Sequence, residues 1–456
     1  MFVQKGADKI SFTLLERARR LKYIPIRDVT REFGTAFLLI SHDLGLDLSM
    51  PFEFDDRNNL KLYAGTSLLI REREVDTRRY SFMTRANNSF PSSGGPLTYE
   101  IEDIFTDDFI GPFTYENVRY GGLVVQDVTT KTDNYTAEQQ VSAGYGKAEL
   151  ELVEDVKLMG GVRVEKSSQS VTTFELFTEP PETVIARLET TDVLPAGTAS
   201  YAFRNDMVIR GGYGRTVSRP EFREMSPSTF YDVTGGNVTV GNSELQRAVI
   251  DNFDLRWDWF FAPGELISVG GFYKKFDEPI EVGLESGADI RVTWRNAKSA
   301  SNYGLEFDFK KNFDFLSDAL KDVYFATNAS IIRSKVTLHE EGIQTNDERP
   351  LQGQSPYVIN CQLGYDNVDS GRSLILLYNV FGKRISAVGG IGLPDIYEQP
   401  FHSLNVVAKM KLKDRVKLSF KINNILNRPV EFTQGDSVTW TYRKGVSFSL
   451  GAGFSY

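Results

Sequence analysis

The sequence predicts an all-β fold of about fifteen long antiparallel strands, and two observations predict it. Apolar residues recur at every second position along most of the chain, and short polar connections alternate with long ones. Because successive side chains of a strand point to opposite faces, a period of two indicates strands with one apolar and one polar face. Almost no helical period is found beyond residue 40.

The alternation is clearest in residues 43–54. Its apolar positions are Leu44, Leu46, Leu48, Met50, Phe52 and Phe54, and the polar residues and glycine between them are Asp43, Gly45, Asp47, Ser49 and Glu53. The pattern recurs in residues 252–259, 303–310, 416–423 and 446–456. A half-exposed strand of a soluble sandwich has the same pattern, so the connections decide the interpretation.

Strands are predicted near residues 41–54, 59–75, 133–152, 156–174, 187–203, 207–218, 245–261, 266–281, 300–313, 321–338, 357–366, 373–388, 400–412, 416–430 and 440–456. Short polar connections are predicted at residues 55–59, 153–155, 204–206, 262–265, 315–320, 367–372 and 413–415, with longer ones between them. Short turns at one end and long loops at the other are typical of an up-and-down barrel in an outer membrane. The sequence therefore predicts a transmembrane antiparallel β-barrel, 41–456, in the cell outer membrane.

Composition excludes several classes of protein. The chain has 456 residues, a formal charge of −9 and one cysteine, Cys361. The acidic balance argues against nucleic acid as a partner, and one cysteine excludes a disulfide framework and a thiolate metal site. The sequence contains no run of about 18 apolar residues, so no transmembrane helix is predicted. Cys361 is expected to face lipid as a small apolar residue.

Catalysis is not indicated. The chain has three histidines, His42, His339 and His402, and no motif places a base beside a nucleophile. No enzyme activity, cofactor or metal is predicted, and His402 is expected in the outer interfacial belt.

The first forty residues are set apart from the rest. Residues 10–24 have the period of one amphipathic helix, so the segment 1–40, whose origin is uncertain, is expected to be partly helical. Its basic residues are not followed by a continuous apolar stretch, so no signal peptide is expected.

Several segments, taken in order, resemble TonB-dependent receptors. They are NYTAEQQVSAGYGKAEL (134–150), VIRGGYGRTVSRPEFREMSP (208–227), GNSELQRAVIDNFDLRWDWF (241–260), GELISVGGFYKKFDEPIE (264–281), NAKSASNYGLEFDFKK (296–311) and FKINNILNRPVEF (420–432). The last strand ends in Tyr456 and carries Phe448, Leu450 and Phe454 on the same face. This strand resembles the signal that the outer-membrane insertion machinery reads.

The resemblance implies uptake of a scarce solute, such as an iron chelate, a vitamin or a glycan, with energy passed through TonB. The implied partners are outer-membrane lipid, the barrel insertion machinery, TonB, a plug domain and the solute. Plugged transporters have 22 strands, so about fifteen strands are expected to form an incomplete barrel. Its first and last strands are then expected to lie apart or to be bridged by residues 1–40.

Two stretches contain candidate contact residues. Residues 215–225 concentrate Arg215, Arg219, Glu221 and Arg223 where a strand leaves the membrane. Arginine binds carboxylate or phosphate in a bidentate manner, so these residues are candidate ligand or plug contacts, or a salt-bridged loop base. The carboxylates of residues 98–122 (Glu100, Glu102, Asp103, Asp107 and Asp108) offer hard oxygen ligands for calcium, but their spacing fits no EF-hand, and a solvated loop is the simpler interpretation.

Three functions remain open on the sequence alone. The first is a TonB-dependent receptor barrel, the second a passive porin-like or purely structural barrel, and the third a soluble β-rich binding module. A plug-coding stretch upstream would separate the first from the second, and detergent dependence would separate both from the third.

Overall fold

The computed structural model describes residues 13–16, 24–27, 31–55, 58–84, 112–115, 118–120, 123–127, 129, 131–152, 155–174, 182–230, 238–286, 290–339, 342–412 and 415–454. Most of these residues lie in strands, which confirms the predicted all-β class. No helix within these ranges is both long and apolar enough to cross a membrane.

The described residues contain one large sheet of 19 strands, and fifteen of these form its body, each pairing antiparallel with the next one of the fifteen along the chain. They are β1 (Arg31–Asp55), β2 (Asn58–Thr84), β3 (Tyr135–Leu152), β4 (Val156–Phe174), β5 (Thr183–Arg204), β6 (Met207–Ser218), β7 (Ala248–Ala262), β8 (Glu265–Asp277), β9 (Ser299–Asn312), β10 (Val323–Thr337), β11 (Tyr357–Asn367), β12 (Arg372–Phe381), β13 (Phe401–Leu412), β14 (Val416–Asn423) and β15 (Ser447–Phe454). The predicted up-and-down order is thereby confirmed.

The seven predicted short connections all lie at one end of this sheet. Six of the hairpins close within a few residues, as where Leu152 pairs with Val156 and Ala262 with Glu265. The seventh, between β9 and β10, contains the 3-10 helix Asp318–Leu320. The longer connections all lie at the opposite end, which we call the loop end.

Four predicted strands end earlier than expected at the loop end. The strands predicted over 266–281, 373–388 and 416–430 end at Asp277, Phe381 and Asn423, and the strand predicted over 440–456 begins at Ser447. Left-handed backbone accounts for three of these breaks, with φ of 53° at Glu278, 56° at Asn424 and 76° at Gly445. A strand cannot continue through a left-handed residue, so the chain turns there.

The residues beyond these breaks form smaller elements at the loop end. One sheet contains Thr229–Phe230, Val238–Val240, Ile280–Glu285 and Arg291–Asn296, and another contains Arg384–Ala387, Ile396–Glu398, Pro429–Gln434 and Ser437–Arg443. The remaining elements are the hairpin Phe113–Tyr115 and Val118–Tyr120, the strands Leu123–Asp127 and Glu348–Arg349, the 3-10 helix Lys131–Asp133 and the short helix α1 (Phe222–Met225).

The two faces of the large sheet differ in chemistry. Apolar side chains are exposed on one face and polar side chains are buried on the other, which is the reverse of a sheet in a water-soluble protein. On one face Leu255, Leu305 and Leu450 are 58%, 63% and 81% exposed. On the other face Asp192, Asp258 and Ser268 are buried. We call these the apolar and the polar face. An exposed apolar band opposite a polar interior is the pattern of membrane barrels.

The outer edge of β1 pairs with two short strands from the N-terminal segment. Thr13–Glu16 pair with Leu44–Asp47, and Ile24–Arg27 pair with Glu32–Thr35. The helix expected over residues 10–24 is therefore wrong for residues 13–16 and 24, and the rest of that range lies outside the described residues. The edge of β1 offers unpaired backbone groups, and pairing them outweighs a local helical preference.

No backbone pairing joins β1 to β15 among the residues that the structure describes, and β15 pairs with β14 alone. Continuous backbone pairing between the first and last strands, which would have contradicted the expected incomplete barrel, is therefore not found in the described part of the chain.

Candidate functional site on the polar face

The chain that follows β6 folds back across the polar face of the sheet. β6 ends at Ser218, and Pro220 has no amide hydrogen with which to continue the ladder. The backbone amide of Glu221 donates to Glu224 Oε2 at 2.8 Å, which closes the first turn of α1. The short helix therefore begins just after the strand ends, and it contacts β4.

Two apolar side chains fix α1 to the sheet. Phe222 and Met225 are buried in one cluster with Val75, Val171 and Leu188. Burying a side chain of this size contributes about 1.5–3 kcal/mol. The predicted contact stretch is thus held in place by a small core on an otherwise polar face.

Polar contacts complete the docking. Gln169 Nε2 donates to the carbonyl oxygen of Pro220 at 2.7 Å, and Gln169 Oε1 accepts from Gln139 Nε2 at 2.9 Å. The hydroxyls of Thr173 and Ser228 lie 3.1 Å apart. Each buried polar group named here has a partner, so the docked segment incurs little desolvation penalty.

Close backbone approach requires glycine at residue 241. An added Cβ there would lie 2.0 Å from the carbonyl oxygen of Ser226 and 2.7 Å from that of Arg223. The next amide, of Asn242, donates to the carbonyl oxygen of Glu224 at 2.6 Å. The backbone before β7 therefore packs directly on α1.

Arg219 is the centre of a buried ion cluster. Its Nη2 lies 2.9 Å from Glu165 Oε2 and 3.1 Å from Asp192 Oδ2. Arg163 Nε is 2.7 Å from Glu165 Oε1, and Arg247 pairs with Asp192 from the other side. The side chain of Asp192 is only 2% exposed, so its charge depends on these partners.

A cavity of about 460 Å³ opens beside this cluster. Its charged lining consists of Asp43, Arg71, Arg163, Glu165, Arg219 and Glu221. Arg219, Arg163 and Glu165 compensate one another, whereas Arg71 and Asp43 have no ion pair within the described part of the chain. The cavity can therefore accept one anionic and one cationic group from a partner.

The family model for the TonB-dependent receptor-like β-barrel matches residues 17–425. The chain belongs to the TonB-dependent receptor β-barrel family. Comparison with curated proteins finds no match by sequence.

Solved TonB-dependent receptors have the same fold. The ferric yersiniabactin uptake receptor FyuA from Yersinia pestis is 11% identical with a TM-score of 0.58, and the alignment covers 94% of this chain and 56% of that one. The siderophore receptor PiuA from Acinetobacter baumannii is 12% identical with a TM-score of 0.59, covering 94% and 58%. The copper transporter OprC is 15% identical with a TM-score of 0.59, covering 93% and 58%. The chain thus spans a little more than half the length of these receptors.

The four candidate residues of this family member do not lie together. Arg219 and Glu221 line the cavity, and Arg223 lies exposed on α1. Arg215 lies on the apolar face, where its Nε and Nη2 contact Asp251 at 2.9 and 3.2 Å. Tyr213 also donates to Asp251 at 2.8 Å. Arg215 is therefore separated from the cavity by the sheet.

The structure bears less directly on the other residues that the sequence singled out. Glu100, Glu102, Asp103, Asp107, Asp108 and Tyr456 lie outside the described residues. Among the described ones, no three acidic, histidine or cysteine side chains are grouped to hold a metal. His402 lies on the apolar face with its Nδ1 2.7 Å from the Tyr378 hydroxyl, and Cys361 lies on that face too.

The sequence alone did not single out Glu165 and Asp192 as partners of Arg219, nor Arg163 and Arg247 as further members of the cluster. All four come from strands or from the chain just before β7, far from residue 219 along the chain. One feature of the sequence could have indicated the cluster. Glu165 and Arg163 alternate with apolar residues in the predicted strand 156–174, so they lie on its polar face, where buried charged side chains require partners.

Proposed function

We propose that this chain forms the barrel wall of an outer-membrane receptor that takes up a scarce solute with energy from TonB. The observation that carries this proposal is the up-and-down sheet of a TonB-dependent receptor barrel, with its apolar face exposed and part of its polar face covered by the docked segment that contains α1. The solute is proposed to be an iron chelate, a vitamin or a glycan.

The apolar face supports the membrane location. On β4, Leu158, Val162 and Val164 are exposed on this face, whereas Lys166 and Ser168 follow at the same face toward the loop end. The same change occurs at the same level on β5, where Val193 pairs with Val164 and Thr191 pairs with Lys166. A shared level at which apolar residues give way to polar ones is what a hydrocarbon boundary imposes.

The polar face supports contact with a plug domain or the solute. We propose that the cavity beside Arg219 receives this partner, with Arg71 and Asp43 pairing to its charged groups and Arg219 and Glu221 holding the cavity wall in shape. The ion pairs around Arg219 would then keep the cavity wall ordered, and they would stay intact when the partner binds.

Uptake measurements on the full-length receptor test the proposal. Cells that carry the receptor as their only importer are given radiolabelled ferric citrate, cobalamin or a maltooligosaccharide, with and without TonB. We expect saturable uptake of one of these probes that stops without TonB. Uptake that is unsaturable and independent of TonB would instead support the passive barrel and overturn the proposal.

A further inference from the structure

A groove crosses the apolar face from β6 to β10, about midway along the strands. Its volume is about 880 Å³, and Gly271 forms its floor between Leu255 and Leu305. Both leucines are more than half exposed, so they stand as ridges on either side of the glycine. The groove is thus a shallow apolar channel one side chain wide.

A row of three aromatic side chains and one arginine closes the groove toward the loop end. Phe253 pairs with Tyr273, Tyr273 with Tyr303, and Tyr303 with Arg333 across four consecutive strands. Tyrosine rings with wet hydroxyls occupy the boundary between hydrocarbon and headgroups. The groove therefore lies in the hydrocarbon layer and its upper rim at the headgroup level.

Two basic side chains, Arg333 and Lys275, lie at this rim with too few carboxylates to neutralise them. Arg333 is exposed and has no ion pair among the described residues. Lys275 is exposed one level closer to the loop end, next to Asp251, whose carboxylate is already bound by Arg215. The other cation at that level, Lys335, is paired with Glu348 at 2.8 Å. A positive charge thus remains beside the open end of an apolar groove.

We propose that this groove binds one acyl chain of a phosphate-bearing membrane lipid, whose phosphate lies between Arg333 and Lys275. The inference rests on the proposed membrane location of the apolar face. The positive charge at the rim favours a lipid with an anionic headgroup over an uncharged apolar ligand. That lipid comes from the surrounding membrane. Basic side chains at the headgroup level attract anionic lipids, each by roughly fivefold in occupancy.

The glycine floor allows a variant that fills the groove without disturbing the sheet. A Cβ at Gly271 would lie 3.5 Å from Leu305 Cδ2, which is an ordinary contact. Gly271→Leu therefore places a side chain in the groove. Gly160→Leu is the matched control, because Gly160 lies on the apolar face of β4 and its Cβ would lie 3.9 Å from the carbonyl oxygen of Ala196.

Tryptophan quenching measures lipid contact at this site. Trp257 lies two residues from Leu255 on the same face and pairs with Val269. The full-length receptor is reconstituted in phosphatidylcholine vesicles with a minor fraction of brominated phosphatidylglycerol or, separately, of brominated phosphatidylcholine. Bromine quenches only tryptophans that contact the labelled chains, and random contact sets the baseline.

We expect the anionic lipid to quench several times more than the neutral one at equal fraction. Arg333→Gln should reduce this preference roughly fivefold, and Gly271→Leu should abolish it. Gly160→Leu and Arg187→Gln, which alters an exposed cation on β5, should retain it. Equal quenching by the two lipids in the unmodified protein, or an unchanged preference in Gly271→Leu, would overturn the proposal.

The same experiment separates this inference from the membrane location. If neither brominated lipid quenches and the protein does not float with the vesicles, the proposed location has failed. If both lipids quench equally, the location stands and only the lipid site is wrong.

Discussion

Arg215 and Arg219 are four residues apart and lie on opposite faces of the sheet. Arg215 is in β6, where every odd residue from Ile209 onward lies on the apolar face. Arg219 follows the end of that strand, where Pro220 turns the chain onto the polar face. Strand alternation thus predicts the side of Arg215, whereas no local rule predicts that of Arg219.

The ion cluster predicts different costs for two matched substitutions. Arg219→Gln removes the partner that Glu165 and Asp192 share, and we expect the free energy of unfolding to fall by about 1–3 kcal/mol. Arg215→Gln removes an exposed pair and should cost much less, because solvent screens exposed charges. Urea unfolding of the two variants in detergent measures both, and equal losses would contradict the assigned burial.

A buried ion pair at the loop end makes the local structure sensitive to pH. Burial raises the pKa of Glu281, and the guanidinium of Arg349, whose Nη1 lies 2.9 Å from Glu281 Oε2, partly opposes this rise. A carboxyl whose pKa is higher in the folded state stabilises the fold below its unfolded pKa, and this contribution is lost as pH rises through the folded pKa.

Amide hydrogen-exchange protection factors of residues 280–285 measure this effect. We expect them to decrease as pH rises from below the ordinary glutamate pKa through the raised one. Glu281→Gln carries no titrating group and should have protection that is flat over the same range. A wild-type profile parallel to that of the variant would show that Glu281 does not titrate in the folded loop.

At the scale of elements, the sequence predicts strands better than it predicts their ends. β4 and β6 begin and end at the predicted residues, because tight polar turns limit them on one side. The ends at the loop side were missed where left-handed residues such as Asn424 break an alternation that continues beyond them. The helix predicted over residues 10–24 was wrong for residues 13–16 and 24, because strand pairing with β1 overrides local periodicity.

Strand β14 tests the facing assignment. Leu418 and Phe420 lie on its apolar face, and Lys417 lies on the polar one. Leu418→Arg should destabilise the protein, by an amount that is roughly 2–4 kcal/mol at the bilayer centre and smaller towards the short-turn end, where Leu418 lies. Lys417→Leu serves as the control and should cost less, as measured by reversible unfolding in lipid vesicles. A larger loss for Lys417→Leu would reverse the assignment.

At the scale of the whole molecule, the chain is one continuous sheet whose last strand has a free edge among the described residues. Phe448, Leu450 and Phe454 on that strand are among its most exposed apolar side chains. We propose that these residues, with Tyr456, form the signal read by the insertion machinery. The family membership supports this proposal, because its members are outer-membrane proteins.

Deleting residues 454–456 from the full-length receptor should abolish its insertion into the outer membrane. The deletion removes two aromatic residues from the terminal strand and leaves the charge unchanged. Membrane fractionation of both forms measures the effect, and deletion of Gly435–Asp436 from a loop hairpin provides a control of similar size. Equal recovery of the intact and the 454–456-deleted receptor in the outer membrane would show that these residues are not the insertion signal.

The central claim is that the apolar face contacts lipid and the polar face does not. Spin labels on Leu305→Cys, Glu306→Cys, Phe307→Cys and Asp308→Cys, in a Cys361→Ser background, report the surroundings of four successive positions on β9. In bilayers we expect the labels at 305 and 307 to collide often with oxygen, and the labels at 306 and 308 to collide with it rarely. At 305 and 307, the collision rate with a polar nickel chelate should not exceed the collision rate with oxygen. Equal exposure of all four labels to the nickel chelate would contradict the account.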